Sequence, residues 1–280
     1  MTYDIRTATR AELDIAVQWA AEEGWNPGLY DSDAFHATDP QGFFLGILDG
    51  TPIASISAVS YGPAVGFVGF YIVHPRYRGR GYGMRLWRHA LRHLPTQNVG
   101  LDGVLAQQKN YEKSGFALAY RNIRYEGSGA GAWQEDPHVV PLSRISFDRL
   151  LAYDEGIFPA RRGTFLKPWI AQPESLAVGY VDAGRLRGYG MIRRCRTGCK
   201  IGPLFADAAE LAEALFQRLR AHAGAEVPVF LDVPEAHPDA VALATAHGMR
   251  PMFETVRMYT KEAPRVPLRR VFGVTTFELG

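Results

Sequence analysis

The sequence predicts an α/β fold with a mixed α+β sheet, built as two tandem copies of one domain. Two patterns predict it: apolar residues at helical spacing alternate with short strand-like runs, and the same landmarks recur half a chain apart. With 280 residues, of which 47% are hydrophobic and 21% charged, the chain has enough apolar material for two ordinary domains.

The repeat appears in three kinds of element. Each copy has a polar start, a helical apolar pattern and an acid-acid-Gly ending, and each later has a hairpin turn and a helix-ending glycine. The landmarks pair residues 10–27 with 144–159, Gly50 with Gly184, and Gly115 with Gly248. Their offsets lie between 132 and 134 residues, which predicts a first domain at 1–126 and a second at 137–280, joined by a small-residue linker.

Composition excludes several classes of function. A net charge of +2 gives no general field for nucleic acid, and Cys195 and Cys199 are too few for a disulfide framework or a metal site. The stretch 51–73 lacks charge, but its prolines and glycines favour strands over a membrane span. The start of the chain has no apolar signal-peptide core. We therefore expect a cytoplasmic protein with free thiols and no metal, membrane or nucleic-acid partner; its oligomeric state stays open.

A glycine- and arginine-rich loop joins a predicted strand to a predicted helix. Residues 66–73 form an uncharged strand-like run, and an amphipathic helix follows, its apolar positions being Met84, Trp87, Leu91 and Leu94. The loop between them reads H-P-R-Y-R-G-R-G-Y-G. Free N–H groups at a helix start bind anions, glycines allow close approach, and Arg76, Arg78 and Arg80 add charge. The predicted guest is a phosphate or pyrophosphate.

The loop and a second motif resemble a known family. Arg78, Gly81 and Gly83 match Arg/Gln-x-x-Gly-x-Gly/Ala, and Y-E-K-S-G-F from Tyr111 to Phe116 is similar to L-Y-x-x-x-G-F. Both motifs occur in the GNAT superfamily of acetyl-CoA-dependent N-acetyltransferases, which residues 1 to about 125 resemble. The whole chain resembles bacterial tandem GNAT proteins with a degenerate second copy. The resemblance implies, in each copy, a mostly antiparallel twisted sheet flanked by helices.

The resemblance also implies site residues and a reaction. Acetyl would pass directly from acetyl-CoA to the primary amine of a small polar acceptor, and Tyr111 would protonate the departing thiolate. The residues implied to hold acetyl-CoA are Ile72, Val73, Arg78, Gly79, Arg80, Gly81, Tyr82 and Gly83. A coenzyme A-binding regulatory or scaffold protein without turnover is the alternative.

The identity of the general base stays open, because residues 67–73 lack the strand glutamate that many members of the family carry. The candidates are Glu22, Glu23, Asp31 and Asp102. Asp102 is favoured as the base because it lies at a predicted strand end, although a role in an Asp-Gly turn explains this residue equally well. Gln107 or Gln108 could reach the pantetheine, since Val104 stands where relatives often have asparagine.

The acceptor pocket is expected at the connection of the first two helices. Trp25 would pack over the acceptor, and Asn26 or Asp31 would pair with its ammonium; a helix-capping turn with a core tryptophan is the alternative.

The second copy is predicted to lack the coenzyme site. An offset of 133 places the loop's arginine and glycines on Leu211, Ala212, Ala214 and Phe216, so one acetyl-CoA per chain is expected. The tail from Arg269 to Gly280 is strand-like and could close the acceptor pocket, with Glu278 or the terminal carboxylate binding an ammonium. A plain edge strand is the alternative interpretation.

Overall fold

The computed structural model describes residues 2–280. Within them lie eight α-helices and one continuous sheet of 13 strands. The first-half strands are β1 Tyr3–Thr7, β2 Phe43–Leu48, β3 Thr51–Ser60, β4 Val65–Val73, β5 Asn98–Val104 and β6 Ala117–Ser128. The first-half helices are α1 Arg10–Glu22, α2 Asp31–Thr38, α3 Tyr82–Leu91 and α4 Gln108–Lys113.

The second half repeats this element order and adds one strand at its end. Its strands are β7 Val139–Pro141, β8 Leu176–Asp182, β9 Arg185–Arg194, β10 Cys199–Ala206, β11 Pro228–Pro234, β12 Arg250–Tyr259 and β13 Val271–Gly273. Its helices are α5 Phe147–Glu155, α6 Gly163–Trp169, α7 Ala209–Ala223 and α8 Pro238–Ala246. The predicted duplication and mixed α/β fold are confirmed.

The matching hairpins have the same local cause. Asp49 and Gly50 join β2 to β3 with φ of 46° and 83°, and Ala183 and Gly184 join β8 to β9 with φ of 45° and 74°. Two consecutive positive φ angles give the tight turn whose twist matches antiparallel strands. The glycine at each second position makes this conformation accessible.

The two halves exchange their last long strands. Strand β12 lies between β5 and β6, and β6 in turn pairs with β11 of the second half. Thr255 of β12 therefore faces Val104 on one side and Asn122 on the other. The predicted halves, 1–126 and 137–280, are continuous through the sheet, and their boundaries stay a prediction.

The sheet is covered on both faces because its side chains alternate. Phe43 and Leu45 of β2 point into a cluster shared with α1, α2, α5 and α6, whereas Phe44 between them packs with α3. In the shared cluster the ring of Phe35 stacks on Trp169 with centroids 5.9 Å apart. The four helices of this face thus bind the halves together.

Strands β4 and β5 pair only over the first part of their length. Their parallel pairing runs from Val65 opposite Asn98 to Val68 opposite Leu101. At Phe70, φ is 48° and the β3–β4 register shifts, which marks a bulge. Beyond the bulge no β4–β5 pairing is present within residues 2–280, and a cleft opens between the strands.

The corresponding split in the second half is filled by the chain itself. Strands β10 and β11 pair only up to Ile201 opposite Leu231. Strand β13 then pairs with β10, and the N–H of Val274 donates to the carbonyl of Asp232 on β11 at 2.8 Å. The segment after β13 continues toward the first-half cleft and is buried through Gly280.

Three features bear on the expectations from composition. Cys195 and Cys199 are buried free thiols. No helix in the described range is long and apolar enough to cross a membrane. Residues 2–280 contain no group of three or more His, Cys, Asp or Glu placed to hold a metal.

Candidate active site

A cavity of about 430 Å³ lies in the cleft between β4 and β5. It follows β4 from Gly69 to Val73, and its walls come from both halves of the chain. The second half contributes Phe253, Thr255, Phe277 and Glu278. The strand exchange and the buried tail therefore complete a site whose floor is the first-half sheet.

The glycine loop lies at one end of this cleft. Gly79 and Gly81 have φ of 75° and 82°, and Gly81 is the N-cap residue directly before α3. A Cβ on Gly83 would lie 2.7 Å from the Tyr71 hydroxyl and 2.8 Å from a Val73 methyl. Glycine at these positions lets α3 start directly against β4, so the unpaired N–H groups of its first turn border the cavity.

Arg78 is the loop cation that borders the cavity. Its Nε donates to the carbonyl of Val73 at 2.8 Å, and its guanidinium pairs with Glu23, which also lines the cleft. The guanidinium of Arg80 lies 5.9 Å from the Tyr77 ring instead, and Arg80 is not part of the lining. The other predicted coenzyme residues, Ile72, Val73, Gly79, Gly81, Tyr82 and Gly83, all line it.

Tyr111 lines the middle of the cleft. Its ring packs on Gly103, where a Cβ would lie 2.2 Å from a ring carbon, and its centroid is 5.8 Å from that of Trp87. Burial, with a smaller contribution from Tyr71, raises the pKa of Tyr111 to about 12. The hydroxyl therefore stays protonated at neutral pH and can donate a proton. Gln107 also lines the cleft, while Gln108 does not.

Asp102 lines the cleft but does not have the geometry predicted for it. Arg257 of β12 binds both its carboxylate oxygens, at 2.7 and 2.6 Å, and Asn122 donates to it at 2.8 Å. The Asp102 side chain has no exposed surface. Burial raises the pKa of Asp102, but Arg257 engages both carboxylate oxygens, so taking a proton from an acceptor would break a buried ion pair. The structure favours an anchor between β5 and β12 over the predicted base.

Only Trp25 of the three predicted acceptor residues lines the cleft. The Asn26 side chain instead bonds the backbone N–H and carbonyl of Thr197, both at 2.9 Å. Asp31 is buried and pairs with Arg193 at 2.8 Å. The prediction that Asn26 or Asp31 meets the acceptor is therefore corrected: Asn26 fastens the α1–α2 connection to the second half, and Asp31 fastens the start of α2 to it.

The exchanged strand and the C-terminal tail both contribute side chains to the acceptor end of the cleft. Phe253 and Phe277 have ring centroids 6.3 Å apart, and the Arg124 guanidinium lies 4.9 Å from the Phe277 centroid. The hydroxyl of Thr255 is buried and has no hydrogen-bond partner within residues 2–280. Nothing in the local sequence marks Phe253 or Thr255, because only the exchange brings β12 beside β5. Phe277 belongs to the tail that was predicted to close the acceptor pocket.

The second half lacks the loop altogether. Residues 74–81 link β4 to α3, whereas only Asp207 and Ala208 link β10 to α7. The offset of 133 placed the loop's arginine and glycines on Leu211, Ala212, Ala214 and Phe216, and these residues lie inside α7, in agreement with the predicted loss of the loop. Asp207 takes hydrogen bonds or ion pairs from Arg187, Arg270 and Tyr153 next to the start of α7.

The chain is similar to known acyltransferases over its full length. Residues 9–116 match the acetyltransferase (GNAT) family and residues 150–273 match an acetyltransferase (GNAT) domain. The chain is 30% identical over 279 residues to holothin acyltransferase of Pseudoalteromonas sp. (strain SANK 73390), covering all of this chain and 95% of that protein.

Solved structures share the fold. A putative acetyltransferase from Pyrococcus horikoshii has a TM-score of 0.84 at 22% identity, over 99% of this chain and 96% of that one. A tandem GNAT protein from the clavulanic acid biosynthesis pathway has a TM-score of 0.62 at 13% identity, over 94% and 100% of the two chains. The relatives support an enzyme rather than the non-catalytic alternative. The chain thus belongs to the GNAT family of acetyltransferases, and it is an acyltransferase with two GNAT halves in tandem.

Proposed function

We propose that this acyltransferase moves acetyl from acetyl-CoA directly to the primary amine of a small acceptor, in the first-half cleft. One observation carries the proposal: a single cavity joins the glycine loop, the Tyr111 hydroxyl and an aromatic end at Trp25 and Phe277. A donor and an acceptor can therefore meet without leaving the cavity.

The end of the cleft beside the glycine loop fits a pyrophosphate that is attached to an extended pantetheine chain. The first-turn N–H groups of α3 and the guanidinium of Arg78 would bind the phosphates, which would replace Glu23 as the partner of Arg78. The edge of β4 that β5 leaves unpaired would hold the pantetheine by backbone hydrogen bonds. From Val73 to Gly69 this edge spans roughly 13 Å at the rise of extended chain.

Tyr111 would act in the step that transfers the acyl group from sulfur to nitrogen. As the acceptor nitrogen bonds to the thioester carbon and the C–S bond breaks, negative charge develops on sulfur. The Tyr111 hydroxyl donates to that sulfur and protonates it. Burial of this hydroxyl within the cleft strengthens the interaction, because little water competes for it.

The acceptor end favours an amine with a flat or apolar body. Its walls are the rings of Trp25, Phe253 and Phe277, and its unpaired polar group is the Thr255 hydroxyl. Aromatic walls with few placed polar groups suit such ligands better than the polar acceptor suggested by sequence. By its name the full-length relative acts on holothin, so holothin is the first acceptor to test.

The test is release of free thiol from acetyl-CoA with holothin, benzylamine, tyramine and glucosamine as acceptors. We expect turnover with at least one of the first three, and less with glucosamine. Arg78→Ala should weaken acetyl-CoA binding at least tenfold in calorimetry, because it removes a charged hydrogen bond to phosphate.

Arg88→Ala is the matched control. It removes the same charge from α3 on an exposed face outside the cleft and should leave the affinity unchanged. Equal affinity of the Arg78 and Arg88 variants would overturn the coenzyme site. Binding of acetyl-CoA without acylation of any acceptor would overturn the proposed acceptor class.

A further inference from the structure

The cleft contains one carboxylate that no arginine neutralises. Within residues 2–280 three carboxylates line it: Glu23, Asp102 and Glu278. Glu23 pairs with Arg78 and Asp102 with Arg257, whereas Glu278 has no ion-pair partner in the described chain. Its carboxylate accepts a hydrogen bond from the Thr276 hydroxyl at 2.5 Å. Glu278 is therefore the lining carboxylate without a cationic partner in the described chain.

The tail holds Glu278 firmly against β4. The Thr276 hydroxyl also accepts from the backbone N–H of Glu278 at 2.8 Å, which fixes the turn that carries the carboxylate. The Tyr61 hydroxyl donates to the carbonyl of Leu279 at 2.9 Å. On the strand side, a Cβ on Gly69 would lie 2.1 Å from the carbonyl oxygen of Glu278. Glu278 thus lies beside the β4 bulge, next to the strand that lacks a glutamate.

The charges around Glu278 come from several elements of the sheet. Three buried cations lie close enough to interact with it: Arg124 on β6, Arg193 on β9 and Lys200 on β10. Asp232 neutralises the first through two hydrogen bonds and Asp31 neutralises the second. Lys200 donates to the carbonyl of Asn26 at 3.0 Å. None of these cations is within ion-pair distance of Glu278 in the described chain, so the carboxylate stays available to a ligand.

We propose that Glu278, carried into the first-half cleft by the C-terminal tail, is the proton acceptor for the incoming amine. The inference rests on the proposed function of the same cleft. Glu278 first takes one proton from the acceptor ammonium, which frees the lone pair of the nitrogen. As the nitrogen–carbon bond forms and the carbon–sulfur bond breaks, sulfur takes a proton from Tyr111, and the surplus proton on nitrogen returns through solvent to the Tyr111 oxygen. Glu278 then releases its proton to solvent, so the cycle is balanced.

The test compares Glu278→Gln with Glu278→Asp, using the best acceptor of the thiol-release panel. We expect Gln to lower kcat/KM at least ~100-fold, the usual contribution of a general base, and to remove the acidic limb of its pH profile. The Glu278→Asp variant keeps a carboxylate, so it should retain the acidic limb of the pH profile and part of the activity. Glu254→Gln, which alters a half-exposed ion pair outside the cleft, should change nothing.

Two further readouts separate a base from a structural role. The affinity for acetyl-CoA and the melting temperature should match wild type in Glu278→Gln. Aniline is neutral at pH 7, so any turnover of aniline should fall much less than that of the ammonium acceptor. Turnover of the Gln variant within twofold of wild type would overturn the proposal, as would loss of the acidic limb in the Asp variant. Absence of all turnover in the wild-type protein would instead overturn the proposed function.

Discussion

The carbonyl oxygen of Glu278 occupies the space that a side chain on Gly69 would need, 2.1 Å from the position of its Cβ. The same relationship recurs in the second half, where a Cβ on Gly202 would lie 2.5 Å from the carbonyl oxygen of Thr275. The tail therefore runs backbone to backbone against a glycine on β4 and on β10. Both contacts lie at the bulges where these strands leave their parallel partners.

Gly69→Ala should displace the tail. Forcing a methyl group into packed backbone costs about 1–3 kcal/mol, which should lower the melting temperature by several degrees. Because Glu278 moves with the tail, the acceptor KM should rise while acetyl-CoA affinity changes little. Gly131→Ala is the control, since its Cβ would meet only Ala225 at 3.7 Å. Equal melting temperatures for the two variants would contradict the tight contact.

Thr255→Val should damage catalysis without damaging the fold. The buried hydroxyl has no partner in the described chain, so its removal should leave the free energy of unfolding unchanged or slightly raised. If the hydroxyl bonds the acceptor, kcat/KM should fall about tenfold. Thr275→Val provides a comparison, because that hydroxyl is equally unpaired but lies outside the cleft lining. A similar kinetic loss in both variants would rule out an acceptor contact at Thr255.

Tyr111→Phe should lower turnover by ~10²–10⁴-fold and leave the acetyl-CoA dissociation constant nearly unchanged. The hydroxyl acts on charge that develops only as the thiolate leaves. Steady-state kinetics and calorimetry on the same preparation separate the two quantities. A fall of less than twofold would exclude this hydroxyl from the rate-limiting step.

The Tyr111 hydroxyl also determines how turnover of the wild-type enzyme responds to alkaline pH. Its pKa is raised to about 12 by burial, so the active, protonated form persists as pH rises and is lost only near pH 12. Turnover should therefore show no alkaline loss from Tyr111 below about pH 11. A Tyr111-dependent fall near pH 9 would show that the hydroxyl is far more acidic than its buried position implies.

Asp102→Asn should affect stability more than chemistry. Removing one partner of a buried ion pair costs about 3–5 kcal/mol, because Arg257 is left buried without its counter-charge. We expect a clear fall in melting temperature, with turnover of the folded protein within about threefold of wild type. Loss of turnover at an unchanged melting temperature would restore Asp102 as a candidate proton acceptor.

Each chain should bind one acetyl-CoA. In the second half, β13 fills the split between β10 and β11, and Asp207 and Ala208 replace the glycine loop. Calorimetric titration should give a stoichiometry of one, and Arg78→Ala should leave no second, unaffected site. A stoichiometry of two would mean that the tail leaves its strand position when coenzyme binds.

Much of the fold could be read from local patterns. Helical spacing, the glycine turns at Gly50 and Gly184, and the recurrence of Gly115 at Gly248 predicted the order of elements and their duplication. The coenzyme loop was also visible, because its chemistry depends on neighbouring residues: glycines and an arginine between a strand and a helix. Arg80 could not be separated from Arg78 in this way, since orientation depends on the surrounding surface.

Only part of the acceptor end could be predicted from the sequence: Trp25 and the tail were expected there, but the pairing of the charged residues depends on contacts between distant parts of the chain. Asp31 and Asp102 are acidic residues in suitable segments, yet each is neutralised by an arginine, Arg193 or Arg257, more than 150 positions away. Charge alone could not show which carboxylates would be paired. Burial and pairing decide that, and both are properties of the packed molecule.

By itself the sequence determined the α/β duplication, the anion-binding loop at Arg78 and Gly81, and the presence of Tyr111, because each depends on residues close together in the chain. Only the tertiary structure decided that β12 crosses into the first-half sheet and that the tail fills one cleft before bringing Glu278 to the other. The physical reason is that strand exchange and tail docking are long-range contacts. They depend on which exposed sheet edges and apolar faces remain to be buried once every local element has formed.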